Sequence, residues 1–597
     1  MSIIVPKKSA VLDAMESFIL SVSGWRKVFA ASGLENDLAE DISPEDMVLA
    51  FCAGRVFADF FATRMEDGRF VVLGRDTRHT GDAIARCVFA GFLEAGVDCR
   101  FIGITAAPEI MALSAVAEDT GGFVYVSASH NPPGHNGIKA GYNGGVLDAE
   151  EASSLIEDFK ILVNSLEDKD IQHIISLIDK TEIVKDEELK NRAKSSYLDF
   201  ISSVICGFFY NKDMDSSLSA IKYALSNIRP SIIGELNGSS RALSIDRDFL
   251  ESLGCSVFIY NNIPGDFAHD ILPEGESLAL CAELVSEQAK KEKKDVVGYV
   301  PDCDGDRGNL VFADQEGNAR ILDAQEVFAL AVLGELAFAS VVNPGKPLAV
   351  VANGPTSMRI EEIAEAFDAQ VIRVEVGEAH VTGKAVELIK QGYVVPILGE
   401  GSNGGSIVPP ARVRDPLATI GSILKLIALR DEPYALFKRW CKARGINYKK
   451  DFSLSDVLAS LPAYTTSTTG DNGASLRINT KDMSSLKERY QNIFADEWEQ
   501  RKNELASMGI YSYHREIYLA GNRYVDSTLP FSLPGEKGGF KMMLKDKEDR
   551  PVAFMWMRKS GTEPVFRILV DAKGDNRKLA EYLFNWQRNL IKKADSA

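Results

Sequence analysis

The chain has 597 residues, 45% of them hydrophobic and 25% charged, a globular composition long enough for about four domains at roughly 150 residues each. Its formal net charge of −18 argues against nucleic acid as the main partner. The same sign would repel a phosphorylated ligand, so any phosphate site must be built from local cations and backbone N–H groups.

Residues 1–190 read as a first α/β domain. Strand Phe70 to Leu73 leads into the loop Gly74-Arg75-Asp76-Thr77-Arg78. A helix over Ile84 to Ala95 and a strand over Arg100 to Ile104 follow, an alternation that predicts a parallel pair. Phe123 to Val126 is strand-like, and a polar loop with two prolines and two glycines follows it as far as Lys139. That loop displays Ser129 at a rigid strand end, where a hydroxyl nucleophile is well placed. Asp148 with Glu151 predicts a capped helix running to about Phe159, and 160–195 reads as charged and helical.

The second domain, 191–321, opens with a helix around Tyr197 to Ile205. It continues through strand Ser231 to Glu235, helix Ser244 to Leu253 and strand Ser256 to Tyr260. Its last strand, Val296 to Val300, runs into Pro301-Asp302-Cys303-Asp304-Gly305-Asp306-Arg307. The third domain, 322–450, begins with the longest apolar run, Ala324 to Val342. Glu326 and Glu335 interrupt that run, and Asp323 with Glu326 forms a capping-box pattern, so it reads as a buried helix and not as a membrane span. Strands Leu348 to Ala352, Gln370 to Val374 and Tyr393 to Leu398 alternate with helices Met358 to Phe367 and Val381 to Gln391. The last strand ends at Gly399-Glu400-Gly401-Ser402. The fourth domain, 451–597, starts near a polar low-complexity loop, 464–475. It then mixes strands at 540–544, 553–557 and 566–570 with a C-terminal helix from about Asn576 to Lys592.

The eight cysteines include no Cys-x-x-Cys pair, which reads as reduced, buried thiols in a cytoplasmic protein, with neither disulfides nor a zinc site. Lys7, Lys8, Asp13 and Glu16 interrupt any secretory apolar stretch at the N-terminus.

Three loops carry chemistry. Asp302, Asp304 and Asp306 alternate along one loop and repel unless a cation neutralises them; hard oxygen ligands suit Mg²⁺ or Ca²⁺. An EF-hand would need a glycine and a glutamate where this chain has Arg307 and Ala313, and Cys303 reads as pointing away from the ligands. In Gly399-Glu400-Gly401-Ser402-Asn403-Gly404-Gly405, glycines admit a ligand to the backbone, and Glu400 and Ser402 can bond vicinal hydroxyls. Arg558-Lys559-Ser560-Gly561-Thr562-Glu563-Pro564, with Arg567, offers cations, hydroxyls and backbone N–H groups suited to a phosphate dianion.

The turn Ser127-Ala128-Ser129-His130-Asn131-Pro132, with Lys139 beyond it, resembles the phosphoserine loop of the α-D-phosphohexomutase family, which includes the phosphoglucomutases and phosphomannomutases. The resemblance points to Ser129 and not Ser127. The acidic loop resembles the family's metal loop, and 399–405 resembles its sugar loop, Gly-Glu-x-Ser-Gly, with Asn403 inserted. The stretch 558–564 resembles its phosphate loop, and Gly74 to Arg78 resembles a signature near the active serine. The motifs stand in the family's order along most of the chain. One departure is clear: where the family has Thr-Ser-Gly-x-Arg, this chain has Ala31-Ser32-Gly33-Leu34-Glu35, leaving Arg26 or Lys27 to supply the charge.

The resemblance implies an α/β fold of four domains around a central cleft, three with mixed sheets and a smaller C-terminal α+β domain. It implies an isomerase, an intramolecular phosphotransferase that interconverts hexose 1-phosphate and hexose 6-phosphate, glucose and/or mannose. The route is phospho-Ser129 and a bisphosphate such as glucose 1,6-bisphosphate. Mg²⁺ would sit on Ser129, Asp302, Asp304 and Asp306. Lys139, partly neutralised, would be the general acid/base and Arg307 would steady the moving phosphoryl group. His130 belongs to the same catalytic group, and with Asn131 it shapes the loop. Glu400 and Ser402 would bind the sugar, with the loop Val376 to His380 as a further candidate, and Arg558, Ser560, Gly561, Thr562 and Arg567 would bind the phosphate that stays. The expected partner is a hexose phosphate, with no nucleic acid or membrane, for a monomer or small homo-oligomer. Two other readings stay open: a sugar-phosphate phosphatase using the same serine and metal, and, given Glu35, a non-catalytic phosphosugar-binding protein.

Overall fold

The computed structural model describes residues 3–21, 24–401, 405–467, 473–526, 538–559 and 565–596. The chain forms two compact units, Met1–Leu322 with Ile407–Gly421, and Asp323–Ser406 with Ser422–Ala597. Four sheets lie in the described residues, and each falls within one of the four spans read from the sequence. The segment Ile407–Gly421, read with the third span, packs instead in the first unit.

In the first unit, strands Phe70–Arg75, Cys99–Ile104 and Thr120–Val126 pair in parallel. Phe70–Arg75 and Thr120–Val126 are buried along nearly their whole length, as continuous Val-rich runs in a parallel core require. The expected helix is Gly81–Ala95. It ends at Gly96 in the left-handed conformation, and Val97 N–H donates to Phe92 O at 3.1 Å. Asp148 caps helix Ala149–Ser165 in a capping box with Glu151, as the pattern predicts.

The stretch read as loop up to Lys139 folds differently. After residues 127–134 the chain forms strand His135–Tyr142, antiparallel to Thr120–Val126, with Tyr125 opposite Lys139. Asn136, Gly137 and Gly141 have weak strand propensity, and pairing on both edges overrides it.

The second sheet runs Ala319–Ile321, Gly308–Ala313, Val296–Pro301, Ser231–Glu235, Ser256–Tyr260. Val296–Pro301 pairs antiparallel with Gly308–Ala313, so Asp302–Arg307 is the tight turn of a hairpin and is held at both ends.

In the second unit, strands Ala369–Val374, Leu348–Asn353 and Val394–Glu400 are parallel, with Gly405–Ile407 at the edge. Helix Ala324–Val342 starts with the expected Asp323/Glu326 capping box. It is the one described helix long and apolar enough to cross a membrane by length and composition, and 78% of its apolar window is buried. Its Glu335 pairs with Lys425 at 2.7 Å and accepts from Ser422 Oγ at 2.6 Å, so the carboxylate interrupting the apolar run is neutralised inside the unit.

The last sheet is antiparallel, with Gly539–Lys545, Pro551–Lys559 and Val565–Lys573 at its centre. It shares one apolar core with helices Met483–Ser507 and Arg577–Ser596. Part of the stretch read as a polar loop is strand here: Tyr464–Thr466 and Ser475–Arg477 both pair with Val565–Lys573, while 468–472 lie outside the described residues. All eight cysteines are free and buried.

Candidate active site

Ser129 stands in the turn after strand Thr120–Val126 with φ at +56°, a left-handed backbone that non-glycine residues avoid. Arg78 holds that turn in place. Its fully buried guanidinium donates to the carbonyls of Ser129 (2.7 Å), Asn131 (2.6 Å), Pro132 (2.5 Å) and His135 (3.0 Å), and Asp76 balances its charge at 3.2 Å. Five donors in a rigid fork suit this task, and no other side chain has them. Ser127 Oγ accepts from the Ser129 N–H at 2.8 Å. The two serines therefore differ in role: Ser127 supports the turn, and Ser129 presents its hydroxyl to the acidic hairpin.

Ser129 Oγ donates to Asp302 Oδ2 at 2.8 Å. Lys139 Nζ donates to Asp304 Oδ2 at 2.9 Å, and Arg414 Nη2 donates to Asp306 Oδ2 at 2.8 Å. Oxygens of the three aspartates lie within 4.8 Å of one another, and all three residues are buried. Asp304 Oδ1 and Asp306 Oδ1 are buried with no hydrogen-bond partner. Buried carboxylate oxygens without partners, converging in a hairpin turn, are a donor set that fits a hard divalent cation. Burial, then the charges of Asp304 and Asp306, push the Asp302 carboxyl well above the usual range. Asp304 behaves oppositely: burial works to raise it, but the Lys139 ammonium and two arginines outweigh that and hold it below the usual range.

The expectation of a partly neutralised Lys139 does not hold. Burial does work to lower its pKa, but Asp304 and Asp306 outweigh it and the pKa lies above 10.5, so the side chain is an ammonium in this arrangement. His130 Nδ1 lies 3.4 Å from Ser129 Oγ. Burial, then Arg307, Arg26 and Arg414, drive its pKa well below 6.5 and leave a neutral imidazole. Cys303 turns away from the carboxylates, as expected, to lie 3.4 Å from Thr77 Oγ1.

Of the two cations available to replace the missing arginine, Lys27 is committed to Asp46 and to the Ala14 carbonyl. Arg26 faces the site. Burial and Arg307 lower its pKa, Asp304 and Asp306 oppose them, and its Nε is buried without a partner. Arg307 Nε is likewise buried without a partner, while its N–H donates to Asp302 Oδ1 at 3.2 Å. Two unpartnered guanidinium nitrogens close to the acidic turn and to His130 suit an anion bound there. Glu35 itself is exposed and lies 3.5 Å from His135 Nε2. Sequence reasoning missed Arg414, since nothing in its neighbourhood signals a site and it lies far along the chain from the aspartate it meets.

In the second unit, Glu400 ends strand Val394–Glu400 and is 3% exposed. Its Oε1 accepts from Asn353 Nδ2 at 3.0 Å and from the Gly377 N–H at 2.7 Å, and Gly377 is the N-cap of helix Glu378–Lys390, so His380, expected on a loop, stands in the first turn of a helix. Arg558 and Arg567 stand directly opposite each other on paired antiparallel strands. Like charges facing across a ladder are unfavourable unless an anion bridges them. Lys487, from helix Met483–Ser507, donates to Gly538 O at 3.3 Å and is close enough to Arg558 to feel its charge. Ser402, Ser560, Gly561 and Thr562 lie outside the described residues.

Two family models match the chain: phosphoglucomutase/phosphomannomutase alpha/beta/alpha domain I over residues 26–161, and domain III over 328–442. A phosphoglucomutase/phosphomannomutase of Thermococcus kodakarensis is 26% identical over 567 residues, 93% of this chain and 97% of its own. A phosphoglucosamine mutase of Alkaliphilus metalliredigens is 28% identical over 370 residues, 62% of this chain and 71% of its own. Among solved structures, the pp63/parafusin phosphoglucomutase of Paramecium superposes with a TM-score of 0.61 at 14% identity, covering 97% of this chain and 95% of its own. A phosphoglucomutase/phosphomannomutase family protein of Burkholderia thailandensis gives 0.60 at 18% identity, covering 96% and 97%.

Proposed function

This chain belongs to the α-D-phosphohexomutase family, and on that premise we propose that it interconverts a hexose 1-phosphate and a hexose 6-phosphate, glucose and/or mannose, through phospho-Ser129. The observation that carries the proposal is the Ser129 hydroxyl, held in left-handed backbone against Asp302, with the unpartnered Nε atoms of Arg26 and Arg307 close to the same acidic turn.

In the forward step the bond from phosphorus to Ser129 Oγ breaks and a bond to a sugar hydroxyl oxygen forms, giving a hexose 1,6-bisphosphate. In the return step the other phosphoryl group moves to Ser129 Oγ, whose proton already has an acceptor in Asp302 Oδ2 at 2.8 Å. The sugar hydroxyl's proton ends on Ser129 Oγ in the forward step and returns in the reverse; Lys139, an ammonium while paired with Asp304, is assigned that exchange by first giving its proton to Ser129 Oγ and then taking the sugar's. Arg307 and Arg26 would steady the moving phosphoryl group, and His130, neutral beside Oγ, would shape the turn. Asp302, Asp304 and Asp306, with a phosphoryl oxygen on Ser129, would hold Mg²⁺, which when bound offsets the charge that develops on transfer. Glu400 and Ser402 would meet the sugar hydroxyls, and Arg558, Ser560, Gly561, Thr562 and Arg567 the phosphate that stays. Eight buried free thiols fit a reducing, cytoplasmic compartment.

The test has two parts. Peptide mass spectrometry of the purified protein should place one phosphate on Ser129, lost in Ser129→Ala. A panel of glucose, mannose and glucosamine 1-phosphates with Mg²⁺ should give the 6-phosphate of at least one sugar. Phosphate mapped only to Ser127, with Ser129→Ala fully active, would overturn the assignment. Release of inorganic phosphate in place of isomer would make the protein a phosphatase, and binding without turnover would make it a binding protein.

A further inference from the structure

Behind the acidic turn lies a buried guanidinium to which neither the sequence motifs nor the reaction assigns a part. Arg241 sits in the short 3₁₀ turn Ser240–Leu243 that follows strand Ser231–Glu235, and its side chain is wholly inaccessible. Its Nε donates to the Gly305 carbonyl at 2.9 Å, in the middle of the acidic turn. Nη2 donates to Asp415 Oδ1 at 2.6 Å, and Nη1 to Tyr197 Oη at 2.8 Å and Asp246 Oδ2 at 3.3 Å. The neighbouring residue adds a second tie, since Ser240 N–H donates to the Cys303 carbonyl at 3.0 Å. Gly305 has φ at +69°, and a Cβ there would lie 2.8 Å from Arg241 Cγ, so the arginine packs directly under the turn.

Asp415 is the other anchor. It follows Arg414, whose guanidinium donates to Asp306. Arg241 thus joins the two structures that converge on Asp306: the turn that carries it, and the segment whose arginine grips it. Tyr197 Oη donates to Asp415 Oδ2 at 2.7 Å and closes the network.

We propose that Arg241 is a positioning residue that locks the Asp302–Arg307 turn and the Arg414–Asp415 segment into one fixed geometry. A buried ion triad is a poor way to gain stability, because apolar side chains of the same volume do as well or better. What apolar side chains cannot do is bind a backbone carbonyl and two aspartates from three different parts of the chain at set distances. A lysine cannot either, having one nitrogen in place of a planar fork.

The experiment compares Arg241→Lys with Tyr299→Phe. Tyr299 donates to Asp246 Oδ1 at 2.8 Å, so its hydroxyl belongs to the same buried network but bonds neither Gly305 nor Asp415. Hydrogen exchange in metal-free buffer, read on peptides covering 296–310, is the first readout. Arg241→Lys should speed exchange in the turn roughly tenfold or more, while Tyr299→Phe leaves it at the parent rate. The second readout is calorimetric Mg²⁺ binding, which rests on the metal reading above. Arg241→Lys should weaken it by about 10- to 100-fold, and Tyr299→Phe by less than about twofold. Should Arg241→Lys fail to fold, Asp415→Asn is the deciding variant, since it keeps the shape and removes one charged anchor; it too should speed exchange in the turn. Unchanged exchange in the turn, or equal effects from Tyr299→Phe, would overturn the proposal. A parent protein that binds no Mg²⁺ would sink the metal reading and leave the exchange result to decide this one.

Discussion

Two buried cations in this chain meet opposite fates. Arg78 is satisfied by four carbonyls and a carboxylate. Lys541, fully buried on strand Gly539–Lys545, has no hydrogen-bond partner for its Nζ. It lies 4.0 Å from the ring centroid of Phe554 and 5.5 and 6.0 Å from those of Tyr518 and Trp556. Burial, reinforced by Arg373 and only partly opposed by Glu516, pulls its pKa from 10.5 down to about 7. The folded value lies below the unfolded one. Between pH 7 and 10.5 the unfolded chain therefore binds a proton that the folded chain refuses, and stability rises with pH across that window. Below pH 7 the penalty is complete. Lys541→Met should remove it, adding up to roughly 4 kcal/mol at pH 7 and flattening the slope. Calorimetric scans at pH 7, 8 and 9 check this, and a variant that keeps the parent's slope would contradict it.

At the scale of elements, the acidic turn owes its geometry to the hairpin that closes it. Chelation should abolish turnover and added Mg²⁺ restore it. Asp304→Asn should weaken Mg²⁺ binding by at least about tenfold without unfolding the first unit, because Asp306 also acts on the Lys139 ammonium that loses its ion pair; full activity in metal-free buffer would rule the metal reading out. The sequence made this turn legible, since three alternating aspartates after a Val-rich strand admit few other uses. It did not show strand Gly308–Ala313, which begins with Gly308 and Asn309, both poor strand formers. Strand His135–Tyr142 was hidden for the same reason, although it is the element that sets Lys139 against Asp304. The capping boxes at Asp148 and Asp323 were legible because a cap is decided within four residues. Arg26 could be named only as one of two candidates, and Arg414 not at all, because both reach the site through pairings between distant stretches of chain.

For the whole molecule, the net charge of −18 makes local concentration of cations the condition for binding any phosphate. Arg26, Lys139, Arg307 and Arg414 meet it in the first unit, and the facing Arg558 and Arg567, with Lys487 nearby, meet it in the second. On the proposed reaction the two sets would have separable duties: hydrolysis of phospho-Ser129 by water would need only the first set, whereas transfer to a sugar phosphate would need both. Arg558→Ala should lower sugar-dependent kcat/KM by roughly 30- to several-thousand-fold, the loss of about 2–5 kcal/mol from one charge-assisted contact. Slow hydrolysis should continue at the parent rate, with the fold intact by circular dichroism. Equal loss of both activities would mean that Arg558 supports the fold or the phosphoserine and clamps nothing.

The left-handed backbone at position 129 would also restrict which alcohol could carry the phosphate proposed there. Threonine forms the same ester with the same chemistry, yet a side chain branched at Cβ is a genuine outlier in that conformation. Ser129→Thr should therefore keep a hydroxyl and still be phosphorylated poorly, whereas the unbranched Ser129→Asp should keep the turn intact and hold a permanent negative charge in place of the ester. At this position the backbone, and not the reactivity of the alcohol, dictates serine.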